Sequence, residues 1–156
     1  MMEEKSNPFQ IRDALKTFEA SAYLLQGRTE IREYWLASEL FQVLRVCFMN
    51  TDYYVRVENV GGESIEVRPD LLVEGKGRQY PIEVKRLNEN TDFDRLREQV
   101  ARYHSQLDAT RVFVFAFAAN NEFLPENSSE VRRRIDELES DDTEVYVKGR
   151  KDVRSW

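Results

Sequence analysis

Arg111 to Ala119, RVFVFAFAA, leaves this chain the fewest choices. The stretch has the length of a strand and is apolar almost without interruption, so neither of its faces is suited to water. A strand of that kind is covered on both sides, as in layered α/β proteins where a strand has parallel neighbours. The rest of the chain must therefore supply helices for both faces of a sheet.

Several segments have the required spacing. Thr91 or Asp92 can cap a helix of about 16 residues whose apolar stripe is Phe93, Leu96, Val100, Tyr103 and Leu107. Asn127 and Glu130 resemble a capping box for a helix over Asn127 to Glu139, with Val131, Ile135 and Leu138 inward. Upstream, Asn7, Pro8 and Gly27 frame a helix over Pro8 to Gln26, with Ile11, Leu15, Phe18, Ala22 and Leu25 on one face. Thr29 can cap a second helix from about Glu30 to Met49, with Leu36, Leu40, Val43, Leu44 and Cys47 near one face and Glu30, Glu33 and Glu39 as its acids.

Between these helices lie alternating stretches. Asp52 to Val60 alternates as a strand, and Gly61-Gly62 turns the chain into the next. Arg68 to Arg86, RPDLLVEGKGRQYPIEVKR, reads as two strands folded back around Gly75 and Gly77. A turn centred between Lys76 and Gly77 sets Asp70 opposite Glu83 and Arg68 opposite Lys85, all on one face. Opposed residues have Cβ atoms roughly 4.5–5.5 Å apart. Two carboxylates that close repel, and a divalent cation between them would turn repulsion into coordination. The alternative is a solvated face in which Arg68 and Lys85 neutralise the acids across strands. Thr143 to Lys148 reads as a last strand. The expected order is α-α-β-β-β-α-β-α-β: an α/β class with a mixed β-sheet flanked by helices. The strand ending at Lys85, the following helix and the strand at Arg111 would form a right-handed crossover.

At 156 residues the chain suits one domain spanning 1–156, with 1–28 as an N-terminal helical extension and 149–156 as a basic tail. No apolar run approaches a membrane span, and the N-terminus has no secretory h-region. Cys47 stands alone within VLRVCFM, which excludes an internal disulfide and fits a cytoplasmic setting and a core position. The net charge of −6 argues against nucleic-acid binding as a whole-molecule average, yet arginine outnumbers lysine 17 to 6. The planar donor fork of arginine suits phosphate.

Asp70 preceded by Pro69, then Glu83-Val84-Lys85 after a gap of 12 residues, resembles the PD-(D/E)XK nuclease superfamily. The element order from Thr29 to Ala119 is similar to that superfamily's core, which implies a restriction-endonuclease-like, three-layer fold. Gln99 and Tyr103, four apart in QVARY, resemble the Q-x-x-x-Y motif of its RecB-like branch. Residues at that spacing share a helix face. Glu39, 31 residues before Asp70, resembles the helix acid of short archaeal Holliday-junction resolvases, with Glu33 as the alternative. Two RecB-like features are absent: His104 follows the motif rather than preceding it, and one cysteine cannot hold an iron–sulfur cluster.

The resemblance implies a metal-dependent DNA hydrolase. Asp70, Glu83 and the Val84 carbonyl would bind Mg2+ or Mn2+, with Glu39 binding through water or a second ion. Lys85 would position the attacking water or stabilise the transition state, and Gln99 and Tyr103 would orient Lys85 or contact a phosphate. Arg68, Arg86, Arg95 and Arg102 are the candidates for contacts to the DNA backbone, which position a strand without reading its sequence. Relatives that cut junctions or duplexes are commonly dimers, so a homodimer is also implied. The rival expectation is a domain of the same fold that binds nucleic acid or protein and cleaves nothing.

Overall fold

The computed structural model describes residues 2–21, 32–57, 68–107 and 109–154. Its centre is the strand read from the apolar run. Val112–Ala118 (β5) is buried at every position. It lies in a five-stranded sheet of order β2-β3-β4-β5-β6, where β2 is Tyr54–Val57, β3 Leu71–Gly75, β4 Arg78–Arg86 and β6 Thr143–Gly149. The pairs β2–β3 and β3–β4 are antiparallel, whereas β4–β5 and β5–β6 are parallel. The sheet is therefore mixed: an antiparallel meander continued by parallel strands, as the order of apolar segments required.

Helices cover both faces. Met2–Thr17 (α1) and Glu33–Cys47 (α2) place Ile11, Leu15, Leu36, Leu40 and Leu44 against Leu71, Val73, Ile82, Val84 and the phenylalanines of β5. On the other face, Phe93–Gln106 (α3) places Leu96, Val100 and Tyr103 against Val112 and Val114. Ser129–Leu138 (α4) places Val131 and Ile135 against Ala116 and Ala118. The alternation of β5 explains the division. Phe113, Phe115 and Phe117 serve the first core, and the smaller Val112, Val114, Ala116 and Ala118 serve the second. This is the α/β class expected, with a mixed five-stranded sheet flanked by helices.

The β3–β4 hairpin turns at Lys76 and Gly77, with φ of 52° and 73°. Left-handed values at both central residues belong to the two-residue turn that matches the twist of its strands. Its register runs from Gly75 opposite Arg78 to Leu71 opposite Ile82. This is the register set by a turn centred between Lys76 and Gly77.

The ends of the chain depart from expectation. The first helix begins at Met2 and stops at Thr17, not at Gln26. Thr17 turns its hydroxyl back to the Asp13 carbonyl at 2.7 Å. Phe18 then leaves the helical path to pack edge-on against Phe115, with ring centroids 5.1 Å apart. Burial of Phe18 and Ala20 thus outweighs continuation of the helix. Ala20–Ser21 (β1) instead pairs in parallel with Val153–Arg154 (β7). Residues 150–154, expected as a basic tail, carry a 3-10 turn and that strand. Because α1 contributes to the main core, it is a layer of the fold rather than an extension of it. Arg12 of α1 also clasps Glu144 of β6, its Nε donating to both carboxylate oxygens at 2.7 and 2.9 Å.

The α2 helix starts at Glu33 after Arg32; Gly27, Thr29, Glu30 and Gly61-Gly62 lie outside the described residues. Asp92, not Thr91, caps α3 by accepting from the Arg95 N–H at 3.0 Å. Thr91 is instead held by the Arg86 carbonyl and the Asn88 N–H. Ser128, not Asn127, caps α4, because the Asn127 side chain is drawn away to the Asn121 carbonyl. Among the described residues, no helix is long and apolar enough to cross a membrane.

The two hairpin glycines predict different mutational behaviour. A Cβ on Gly75 would meet the Asp52 carbonyl oxygen at 2.4 Å, whereas one on Gly77 meets nothing within 4 Å. Gly75→Ala should cost about 1–3 kcal/mol from overpacking against backbone. Gly77→Ala should cost about 1–2 kcal/mol, from its left-handed φ alone. In urea denaturation Gly75→Ala should be the less stable of the two, and the reverse order would contradict the packing described.

Candidate functional site

Four of the residues singled out in the sequence converge at the carboxyl end of β4. Ladder pairing between β3 and β4 stops at Leu71 opposite Ile82. Continued by one step, the register sets Asp70 opposite Glu83. Asp70 does not extend the ladder: it sits in a bend, and its Oδ2 accepts from the Val84 N–H at 2.8 Å. A side chain thus occupies the place of a backbone acceptor, and the Asp70 carboxylate is pinned to the strand that carries Glu83.

Glu83 is only 4% exposed. It pairs laterally with Val114 of β5 and points, with Lys85, to the α3 side of the sheet. Tyr103 projects from α3 onto it, and its hydroxyl donates to Glu83 Oε2. The same hydroxyl lies 3.3 Å from the Arg68 carbonyl, so Tyr103 bridges the two strands that carry the acids. Burial raises the Glu83 carboxyl well above its ordinary range, and the neighbouring Asp70 pushes the same way. The Tyr103 hydroxyl and the Lys85 ammonium oppose that shift without cancelling it. Tyr103 is raised in turn, first by burial and then by the Glu83 charge. Tyr103 therefore acts here as a hydrogen-bond donor and not as an anion.

Gln99 stands one turn before Tyr103 on α3, and its buried Oε1 has no hydrogen-bond partner. Arg95 and Arg102 are exposed on the same side of the helix, four residues before and three after Gln99. Arg68 is exposed, and Arg86 is half-buried at the end of β4.

The acids of α2 do not join the pair. Glu39 accepts from the Ser21 N–H at 2.7 Å, beside β1. Glu33, at the start of the helix, accepts from the Arg86 N–H at 3.2 Å and so reaches the end of β4. Among the described residues, no group of three or more histidine, cysteine, aspartate or glutamate side chains gathers as a metal cage. His104 is engaged with the Thr143 hydroxyl at 2.8 Å.

The donor chemistry still fits one kind of ion. Magnesium keeps several waters and is commonly held by one or two carboxylates together with substrate phosphate. Asp70 and Glu83 offer two carboxylates at one point, and a buried anion there is costly without a cation. Two connections lay beyond sequence reasoning: the bond from Asp70 to the Val84 N–H and the direct contact between Tyr103 and Glu83. The first had a signal in the hairpin register, which brings Asp70 to the level of Glu83, one residue from Val84.

No protein-family model and no curated protein matches this chain. Among solved structures, it is similar to SfsA of Pyrococcus furiosus, determined in complex with Ca2+. The two are 14% identical with a TM-score of 0.46, and the match covers 76% of this chain and 58% of SfsA.

The raised Glu83 carboxyl gives a signed prediction. Free of divalent metal, the folded protein retains a proton that the unfolded chain releases near its ordinary value of 4.5. Stability is then fully present below that value and falls as pH rises through the folded range. Urea denaturation in chelator between about pH 5 and pH 8 should show this fall, and Glu83→Gln should flatten it. Equal slopes for wild type and Glu83→Gln would contradict the assignment.

Proposed function

We propose that this chain is a metal-dependent nuclease that hydrolyses DNA phosphodiester bonds. The observation that carries the reading is the buried Glu83 set beside Asp70, with Lys85 on the same face of the sheet. A hairpin that only needed a solvated surface would not bury one carboxylate against another.

In this reading Asp70, Glu83 and the Val84 carbonyl hold Mg2+ or Mn2+. When bound, the ion supplies positive charge to the phosphate and lowers the pKa of water at the site. The chain's own residues do the rest. Lys85 places its ammonium where negative charge builds on the phosphate, a form of stabilisation that is often the largest single contribution. Tyr103 holds Glu83 in one orientation through its hydroxyl. Gln99 offers its unpartnered Oε1 to water or to Lys85. Glu39 and Glu33 remain alternatives for the helix acid; Glu33 is the one already bonded to the end of β4. Arg68, Arg86, Arg95 and Arg102 contact the DNA backbone.

A second reading is a domain that binds DNA without cutting it. The absence of a third carboxylate at the pair among the described residues favours it, as does the net charge of −6.

A cleavage panel separates the two readings. Linear duplex, single strand, flap and four-way junction are incubated with and without manganese. Wild type should cut at least one of them only when manganese is present. Lys85→Ala should slow that cleavage by about 10²–10³-fold, as removal of one charge-stabilising donor typically does, and leave DNA binding largely intact. Failure of wild type to cut any of the four at modest salt would favour the binding-only reading.

A further inference from the structure

The carboxyl ends of β5 and β6 form a second, open pocket of about 310 Å³, lined among the described residues by Ala119, Asn120, Asn121 and Arg150. Among the described residues, no carboxylate lines it. Arg150 is held in place by its neighbours. Its Nε donates to the Ala119 carbonyl at 2.5 Å. Gly149 before it lies under Leu124, where even a Cβ would approach to 3.2 Å. The Gly149 N–H is in turn capped by Asp152 Oδ2 at 2.8 Å. With Nε engaged, the two terminal nitrogens of the guanidinium remain as a fork, and among the described residues no acid pairs with them. Asn120 uses its Oδ1 to accept from the Glu122 N–H at 3.0 Å, which leaves its amide NH2 as a donor.

We propose that this pocket is a subsite for a phosphate of the DNA backbone, on the strand that runs from the Asp70–Glu83 centre across the ends of the parallel strands. The inference rests on the nuclease reading for its substrate. An arginine fork with no acid partner matches phosphate oxygens, and the Asn120 NH2 adds a second donor beside it. Ligands of open α/β sheets lie beyond the carboxyl ends of their strands. The spacing suits a strand of nucleic acid. Lys85 pairs with Ala116, and Ala116 with Val147, while Arg150 follows shortly after on β6's end. Strand spacing and rise put Arg150 about 14 Å from Lys85 along the sheet. That span exceeds one step of a nucleic-acid backbone, so only a strand with several phosphates reaches both.

The test uses the full chain in chelator, where nothing is cut. Fluorescence anisotropy measures binding of single-stranded oligothymidylates of about 2 and about 12 nucleotides across salt. Arg150→Ala should weaken the longer oligomer by about tenfold and reduce its salt slope by about 0.7, the loss of one phosphate contact. The short oligomer should bind both proteins alike, and Arg150→Lys should restore part of the affinity. On wild-type protein, amide NMR signals of Asn120, Asn121 and Arg150 should move with the longer oligomer. Inorganic phosphate should move the same signals more weakly. Signals that move with inorganic phosphate alone, with oligomer binding unchanged in Arg150→Ala, would identify a free-phosphate pocket and overturn the proposal. Signals that move with neither would also overturn it. Cleavage by wild type with no effect of Arg150 sinks this inference and spares the nuclease reading. An Arg150-dependent affinity without cleavage does the reverse.

Discussion

Glu83 is a carboxylate on an interior strand of a sheet covered on both faces, and most of what surrounds it follows from that position. β4 lies between β3 and β5, with helices on both sides, so Glu83, three residues before its end, is almost wholly withdrawn from water. A group of this kind must be neutralised by a proton, a hydrogen-bond donor or a cation. The structure supplies the donor through Tyr103 and a nearby positive charge through Lys85. It also places Asp70 where it makes the anion less favourable. Packing alone gives no reason for that arrangement, whereas a divalent ion between the two acids would reverse the sign of their interaction.

The geometry depends on the hairpin and on β5 together. The Lys76-Gly77 turn sets the register that brings Asp70 to the level of Glu83. The parallel pairing of β4 with β5 carries Glu83, Lys85 and Arg86 upward beside Val114, Ala116 and Phe117. α3 is fixed over these strands by Leu96 and Val100, so Tyr103 meets Glu83 from above, with Gln99 one turn before it. The same parallel strands end at Ala118 and Gly149, where Arg150 is held. The Asp70–Glu83 centre and the proposed Arg150 subsite therefore lie at one end of one sheet.

The sheet and its hairpin were legible in the sequence because their signals are local and physical. An apolar run of strand length admits little besides two-sided burial. A two-residue turn with glycine in its second position fixes a register, and the register fixes which side chains share a face. The helix acid was less legible. Glu33 and Glu39 lie about 120° apart around α2, so the rotation of the helix against the sheet decides which one reaches β4. That rotation is set by Leu36, Leu40 and Leu44 in contact with distant residues. The short strands β1 and β7 carry no periodicity, and their pairing depends on where Phe18 buries its ring. Asn127 and Ser128 are equally good caps by type, and the contact from Asn127 to Asn121 selects between them.

In the proposed reading, Asp70 and Glu83 act together on a divalent cation. Isothermal titration of Mn2+ into metal-free protein near neutral pH addresses it without requiring a substrate. Wild type should show one saturable event that is lost in Asp70→Asn and in Glu83→Gln, each shown to be folded, and retained in Glu39→Gln or Glu33→Gln with at most weaker affinity. No saturable binding in wild type, or binding unchanged by Asp70→Asn, would contradict it.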